Sequence, residues 1–158
     1  MACDAPIPTS AAAIAAPLAD VMAYEETIHH PSSPEPLRAR GSLRATPEGS
    51  LVRDQTHPTR EIAEIGPSLL GLRKPPDFDV EYWPLEEAAQ AQFGLIRALL
   101  SGRLGEAVPT ADIRPDESGW RLTAGEAVAL TGCGSVVSSV EVVQEDGVRR
   151  VYVLTGSE

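Results

Sequence analysis

The sequence predicts an antiparallel α+β domain, and three observations carry that prediction. Runs that read as strands and helices follow the order helix, strands, one central helix, strands, without the strand–helix–strand alternation of a parallel sheet. Over residues 36–45, Leu37, Ala39, Gly41, Leu43 and Ala45 fall on one side of an extended chain, and Arg38, Arg40, Ser42 and Arg44 on the other. Finally, Asp146-Gly147 separates two runs rich in β-branched residues, the strongest short hairpin signal in the chain.

A chain of 158 residues suits one domain with a substantial core. Residues 1–9 read as a disordered N-terminal segment and residues 10–158 as the domain. Hydrophobic residues make up 42% and aromatic ones 4%, so the core must be aliphatic, and 14 Pro with 13 Gly imply many turns. The net charge of −10 disfavours a generic nucleic-acid binder. That charge is uneven: residues 1–36 carry −5, residues 37–75 carry +3 and residues 76–158 carry −8. A basic sheet segment in an acidic protein can meet an anionic head group or an acidic partner, or simply be a solvated face.

No apolar run reaches the ~20 residues of a membrane helix, and Met1-Ala-Cys-Asp lacks the basic start and apolar stretch of a secretory signal. Cys3 and Cys133 leave three alternatives open: a disulfide in an oxidising compartment, a lipid-modified Cys3, or two unrelated thiols.

In order along the chain, Ser10 can cap a helix through the alanines from Ala11, ended or bent by Pro17. Leu18 to Met22 could add a turn. From Met22 the period changes to two, with Met22, Tyr24, Glu26 and Ile28 on one side, which reads as a strand. Pro31, Pro34 and Pro36 mark a connection, followed by the Arg-faced strand and a turn at Thr46-Pro-Glu-Gly49. Residues 51–56, 60–65 and 69–73 are strand-like. Over residues 77–83, Phe78, Val80 and Tyr82 alternate with Asp77, Asp79 and Glu81.

Pro84-Leu-Glu-Glu opens the clearest helix, since proline suits the first turn and acids suit the positive end. Ala89, Phe93, Ile96 and Leu100 give it an apolar stripe at helical spacing, closed by Ser101-Gly102. Residues 103–107 can form a short extra turn. Residues 111–114, 120–123, 126–131, 136–144 and 148–154 then read as a meander.

Catalytic motifs are missing. His29 and His30 would point to opposite strand faces, and no HExxH, CxxC or carboxylate-rich loop accompanies them or His57, so no metal site is expected. There is no GxSxG elbow and no Walker loop. Gly132-Cys-Gly-Ser135 has no basic partner nearby in sequence and reads as a Gly-rich start to a strand, not a nucleophile loop. Glu25 and Glu26 diverge on a strand, which is poor geometry for a shared acid/base site.

The order of residues nonetheless resembles the LolA-type outer-membrane lipoprotein carrier family, and more closely its divergent LolA-related branch. The resemblance spans about residues 10–155. It rests on Tyr24-Glu-Glu26, on Pro36-Leu-Arg-Ala-Arg-Gly-Ser-Leu43, and on Leu51-Val-Arg53 leading to Pro58. Further on it rests on Ile96-Arg-Ala-Leu-Leu-Ser-Gly102, on Trp120-Arg-Leu122 and on the closing Asp146-Gly147 hairpin. The chain departs from the classical carriers at two places. It has Thr46-Pro47 where they have Arg-Pro, and its hairpin offers Leu51 and Arg53 where theirs is aromatic-rich.

What the resemblance implies is an unclosed antiparallel β-barrel, a half-barrel wrapped over helices, enclosing an apolar cavity. The implied function is a periplasmic carrier or chaperone that shields acyl chains of a lipid or lipoprotein on the way to the outer membrane. Each methylene kept from water is worth about 0.8 kcal/mol. The small apolar face of residues 36–45 would keep such a cavity open. Tyr24, Ile28, Leu43, Leu51, Phe78, Val80, Phe93, Ile96 and Leu100 are expected to line it. Arg38, Arg40, Arg44 and Arg53 are expected to dock partners, an inner-membrane exporter and an outer-membrane acceptor. The carrier would be a monomer and would need no cofactor, metal or nucleic acid. A polyene or other acylated lipid stands beside lipoprotein as cargo. Two alternatives share the fold: a membrane-anchored acceptor or sensor lipidated at Cys3, and a small biosynthetic enzyme using Glu26, His29 and Arg53.

Overall fold

The structure, a computed structural model, describes residues 3–14, 21–108, 112–124, 128–144 and 146–155, without the side chains of residues 88, 89, 91 and 92. The first half of the chain builds β1 (Met22–His29), β2 (Leu37–Ala45), β3 (Leu51–His57), β4 (Glu61–Ile65), β5 (Leu69–Arg73) and β6 (Val80–Pro84). Helices α1 (Glu87–Leu100) and α2 (Leu104–Ala107) follow. The second half builds β7 (Asp112–Asp116), β8 (Gly119–Ala124), β9 (Val128–Cys133), β10 (Val136–Val143) and β11 (Arg149–Thr155). All pairings are antiparallel, in the order β6-β5-β4-β3-β2-β1-β11-β10-β9-β8-β7. Each strand lies beside its sequence neighbour, except that β1 also pairs with β11 and the helices separate β6 from β7. The two ends of the chain therefore meet in the middle of the sheet, with Tyr24 opposite Leu154 and Glu26 opposite Tyr152. Among the described residues the free edges are β6 and β7.

This corrects the expected α+β class. The fold is all-β-like: an eleven-stranded open sheet, with 14 helical residues in α1 and 4 in α2. The expectation of a half-barrel wrapped over helices overstated the helical part, because it took two local alanine-rich or amphipathic signals as layers. The predicted N-terminal helix is, where described, one 3-10 turn at Ala11–Ala13 with no side-chain cap from Ser10. Residues 15–20, where that helix was expected to continue, lie outside the described residues. Three helical residues cannot offset the cost of nucleation, so alanine propensity alone does not make a layer.

Alternation gives each strand an inner and an outer face. Inner residues of β1 to β4 and β8 to β11 join one buried cluster with Leu95, Ile96 and Leu99 of α1, Leu104 of α2, and Ala11 and Ile14. β4 and β8 lie seven places apart in the sheet. In a flat sheet at about 4.8 Å per strand they would be roughly 34 Å apart, so sharing one cluster requires the sheet to curl around α1. The C-terminal strands fill their part of the interior with Trp120, Leu122, Leu130 and Val140, all fully buried. Gly132 makes this possible, because a Cβ there would lie 2.5 Å from the Trp120 ring, whose indole N–H donates to the Gly134 carbonyl at 2.9 Å. Gly132-Cys-Gly-Ser135 is thus a strand end and turn shaped around Trp120. Cys133 at that turn is disulfide-bonded to Cys3.

Candidate functional site

Where β1, β2, β3 and β11 meet, the inner face changes character. Tyr24 and Glu26 point inward from β1, Arg53 and Gln55 from β3, and Arg150 and Tyr152 from β11. The Glu26 side chain is fully buried, with Arg53 12% and Arg150 31% exposed. Arg53 Nη2 donates to Glu26 Oε1 and to Gln55 Oε1, the latter at 3.1 Å. Arg150 Nη1 donates to Glu26 Oε2 at 2.8 Å. Gln55 Nε2 donates in turn to the Thr59 carbonyl at 3.0 Å. At the outer end of the network, Glu61 lies 3.9 Å from Arg53 Nη1 and 3.9 Å from Lys74 Nζ.

The strand between β1 and β3 explains how such a pair can form. Glu26 and Arg53 stand on strands separated by β2, about 9–10 Å apart axis to axis. Ala39 lies beside Glu26, and Gly41 lies between Tyr24 and Gln55. Small side chains there leave room for the carboxylate and the guanidinium to meet above β2. Gly41 is doubly required, since a Cβ would fall 2.0 Å from the Asp54 carbonyl oxygen, next to the irregularity between Arg40 and Gly41 where β2 and β3 shift register. The small face of residues 36–45, expected to keep a cavity open, makes room for a buried ion cluster.

Two aromatic rings complete the cluster. The Arg53 guanidinium carbon lies 5.6 Å from the Tyr24 ring centroid, and the Tyr24 and Tyr152 rings meet edge to face at 5.5 Å. Burial pushes the Tyr24 hydroxyl up to about 12, with Arg53 pulling against that shift and Glu26 adding to it. Tyr152 is pushed up by burial and then by Glu26. For Arg53, burial alone would lower the pKa, but Tyr152, Glu26 and Tyr24 more than offset it and hold the guanidinium charged. Two polar atoms of the cluster are buried without a partner among the described residues, the Tyr24 hydroxyl and Arg53 Nε.

Several expected positions fall elsewhere. Tyr24, Leu43, Leu51 and Ile96 are packed into the buried cluster, with Phe93 and Leu100 against it. They form a filled interior around α1. Ile28 is half-buried on the inner face of β1 beyond Glu26. Val80 is a correction: it lies with Tyr82 on the outer face, lining a groove with Val52, Ile62 and Gly71. Phe78, half-buried, precedes β6 with a φ of 55°, so the alternation read over residues 77–83 does not run through it. Arg38, Arg40 and Arg44 are exposed on the outer face of β2, where Arg40 Nη2 donates to His57 Nε2 at 3.1 Å. Arg53 is the other correction. It was expected on a docking surface but is held inside by Glu26, because Arg53 lies on the inner phase of β3, opposite Leu43 and Ala63.

Of the three residues weighed for an enzyme, Glu26 and Arg53 meet. His29, three residues from Glu26, takes the opposite face. Sequence reasoning missed Arg150, Tyr152 and Gln55. Alternation in β11 could have placed Arg150 and Tyr152 together, but nothing local shows that β11 pairs with β1 across 124 residues. No protein-family model matches this chain, and no curated protein matches it.

An apolar interior covered by α1, α2 and the Ala11–Ala13 turn thus ends on buried charges, beside a phenolic hydroxyl and a guanidinium N–H that have no partner among the described residues.

Proposed function

We propose that the protein binds single acyl chains on the inner face of its sheet and carries a lipid or lipoprotein through an oxidising compartment, the periplasm. The observation that carries this reading is the cover of that face. Among the described residues it is formed by α1 and α2, a 14-residue helix and a single turn, together with the short turn at Ala11–Ala13. Residue Glu86 at the start of α1 makes no side-chain capping bond. A helix of that length is marginal by itself and depends on Leu95, Ile96 and Leu99 packing on the sheet. An acyl chain presents the same apolar surface, so it can take the place of those side chains at little net cost. Exchange of this kind gives loose, reversible binding, which a carrier needs in order to release its cargo.

The ion cluster supplies the polar end. A carboxylate or phosphate head group can accept from Arg53 Nε and the Tyr24 hydroxyl, the two donors left without partners. The Cys3–Cys133 disulfide supports the oxidising compartment and the unanchored form, since a sulfur lipidated as a thioether forms no disulfide. The resemblance to LolA-type carriers supports the same reading.

Titration with cis-parinaric acid, a fluorescent fatty acid, tests it, alongside native mass spectrometry of gently purified protein. Saturable uptake at one site per chain is expected, with weaker uptake of the methyl ester than of the free acid. No uptake by oxidised, folded protein would refute the carrier reading.

A further inference from the structure

The two free edges of the sheet differ in kind. β7 is closed to further pairing by its own sequence, because Pro115 has no N–H and Asp112, Arg114 and Asp116 load five residues with charge. β6 has its one proline at the last position and carries Val80, Tyr82 and Trp83. Tyr82 is 68% exposed, and Leu69 and Trp83 are exposed beside it. Among the described residues no strand pairs with the outer edge of β6.

Register defines what this edge offers. The Leu85 N–H donates to the Ser68 carbonyl at 2.9 Å, and Leu70 and Leu72 stand opposite Trp83 and Glu81. Antiparallel alternation then turns the N–H and C=O of Trp83 and Glu81 toward β5, and those of Val80 and Tyr82 away from the sheet. The side chains of Val80 and Tyr82 lie on the outer face, over a groove of about 270 Å³ that includes Leu69 and Gly71. Glu81 lies on the inner face. Residues 77–87 hold five acids and no base.

A second copy fits this edge poorly. Two-fold pairing centred on Glu81 sets that carboxylate directly against its own copy. Pairing centred on Tyr82 sets Val80 against Pro84, which has no N–H to give.

We propose that the outer edge of β6 is a docking site for an extended basic peptide segment of a partner protein, which joins the sheet as an added strand. Its backbone pairs with Val80 and Tyr82, its apolar side chains extend the outer face beside Tyr82, and its alternate Lys or Arg side chains meet Glu81 and the acids around it.

The test is an anisotropy titration of the full chain with a labelled short peptide alternating lysine and valine, with amide shifts mapped by NMR. Saturable binding is expected, with shifts confined to β5 and β6. The same peptide with glutamate for lysine should not bind. Tyr82→Pro removes an outward N–H and leaves the β5-facing ones. Tyr82→Pro and Glu81→Lys should each weaken binding at least about tenfold, whereas Asp112→Lys on β7 should change nothing. If Tyr82→Pro does not fold, Glu81→Lys and the acidic peptide decide. Absence of binding, unchanged affinity in Glu81→Lys, shifts mapping elsewhere, or self-association of the free protein through β6 would each overturn the proposal.

Discussion

The inner face of the sheet is built in two different ways. Across β8, β9 and β10 it is apolar throughout, with Trp120, Leu122, Leu130 and Val140 fully buried, and charge is kept to the outer face, where Arg121 and Arg149 flank Glu141 at 3.2 and 3.4 Å. Across β11, β1 and β3 it buries Glu26 between two arginines and leaves a hydroxyl and a guanidinium N–H without partners. Packing alone accounts for the first region. The second buries charge, and well-packed hydrophobic side chains of similar volume often replace such charge with no loss of stability. In the proposed carrier the cluster serves instead to recognise a polar group at the end of an apolar site.

The contrast breaks first at its two centres. Trp120→Ala should lower stability by about 3–5 kcal/mol through loss of a buried ring. Glu26→Gln, which leaves two arginines facing an uncharged group, should cost about 3 kcal/mol. The regions then part company. Replacing Glu26, Arg53 and Arg150 together by Leu or Met should restore stability to within about 1 kcal/mol of the parent or above it, while the preference for free acid over methyl ester disappears. Denaturant titration of the three proteins, with fatty-acid binding on the third, checks both halves. Failure of the triple variant to recover stability would mean the cluster is structural.

Alkaline pH gives the next effect. Burial raises the folded pKa of Tyr24 from 10.0 to about 12 by disfavouring the phenolate, so stability holds below pH 10 and falls as pH rises toward 12. A loss of roughly 2 kcal/mol is expected over that window. It should shrink in Tyr24→Phe and persist unchanged in Trp120→Phe. At neutral pH, Tyr24→Phe removes an unpartnered buried hydroxyl and should gain about 1 kcal/mol, yet bind free fatty acid more weakly. Smallest of all, Arg121→Ala on the outer face should shift stability by about 0.5 kcal/mol or less, as thermal melts would report.

How far the sequence reveals this molecule depends on how local each signal is. Strand runs at 22–29, 51–56 and 69–73 match β1, β3 and β5 within a residue, because period-two alternation is written in adjacent side chains. The Asp146-Gly147 hairpin and the body of the helix were legible for the same reason, but the helix expected to open at Pro84 starts at Glu87, and Pro84 instead ends β6. The class was not legible. A stretch of alanines from Ala11 looks helical locally but forms a single 3-10 turn where described, and its packing on the core through Ala11 and Ile14 is a tertiary fact. The cluster was half legible: Glu26 and Arg53 are named together, with His29, as the polar residues an enzyme on this fold would use. Arg150 required knowing that the last strand closes on the first. The small residues Ala39 and Gly41 are legible but the use of their space is not, because the size of a gap in one strand says nothing about which neighbours fill it.

The central claim is that an acyl chain exchanges with α1 on the inner face. Hydrogen exchange of the protein with and without saturating long-chain fatty acid tests it most directly. Faster exchange in Glu87–Leu100 is expected when the fatty acid is bound, with β8 to β10 unchanged. Fatty acid bound with the protection of α1 intact, or change confined to the outer face, would contradict it.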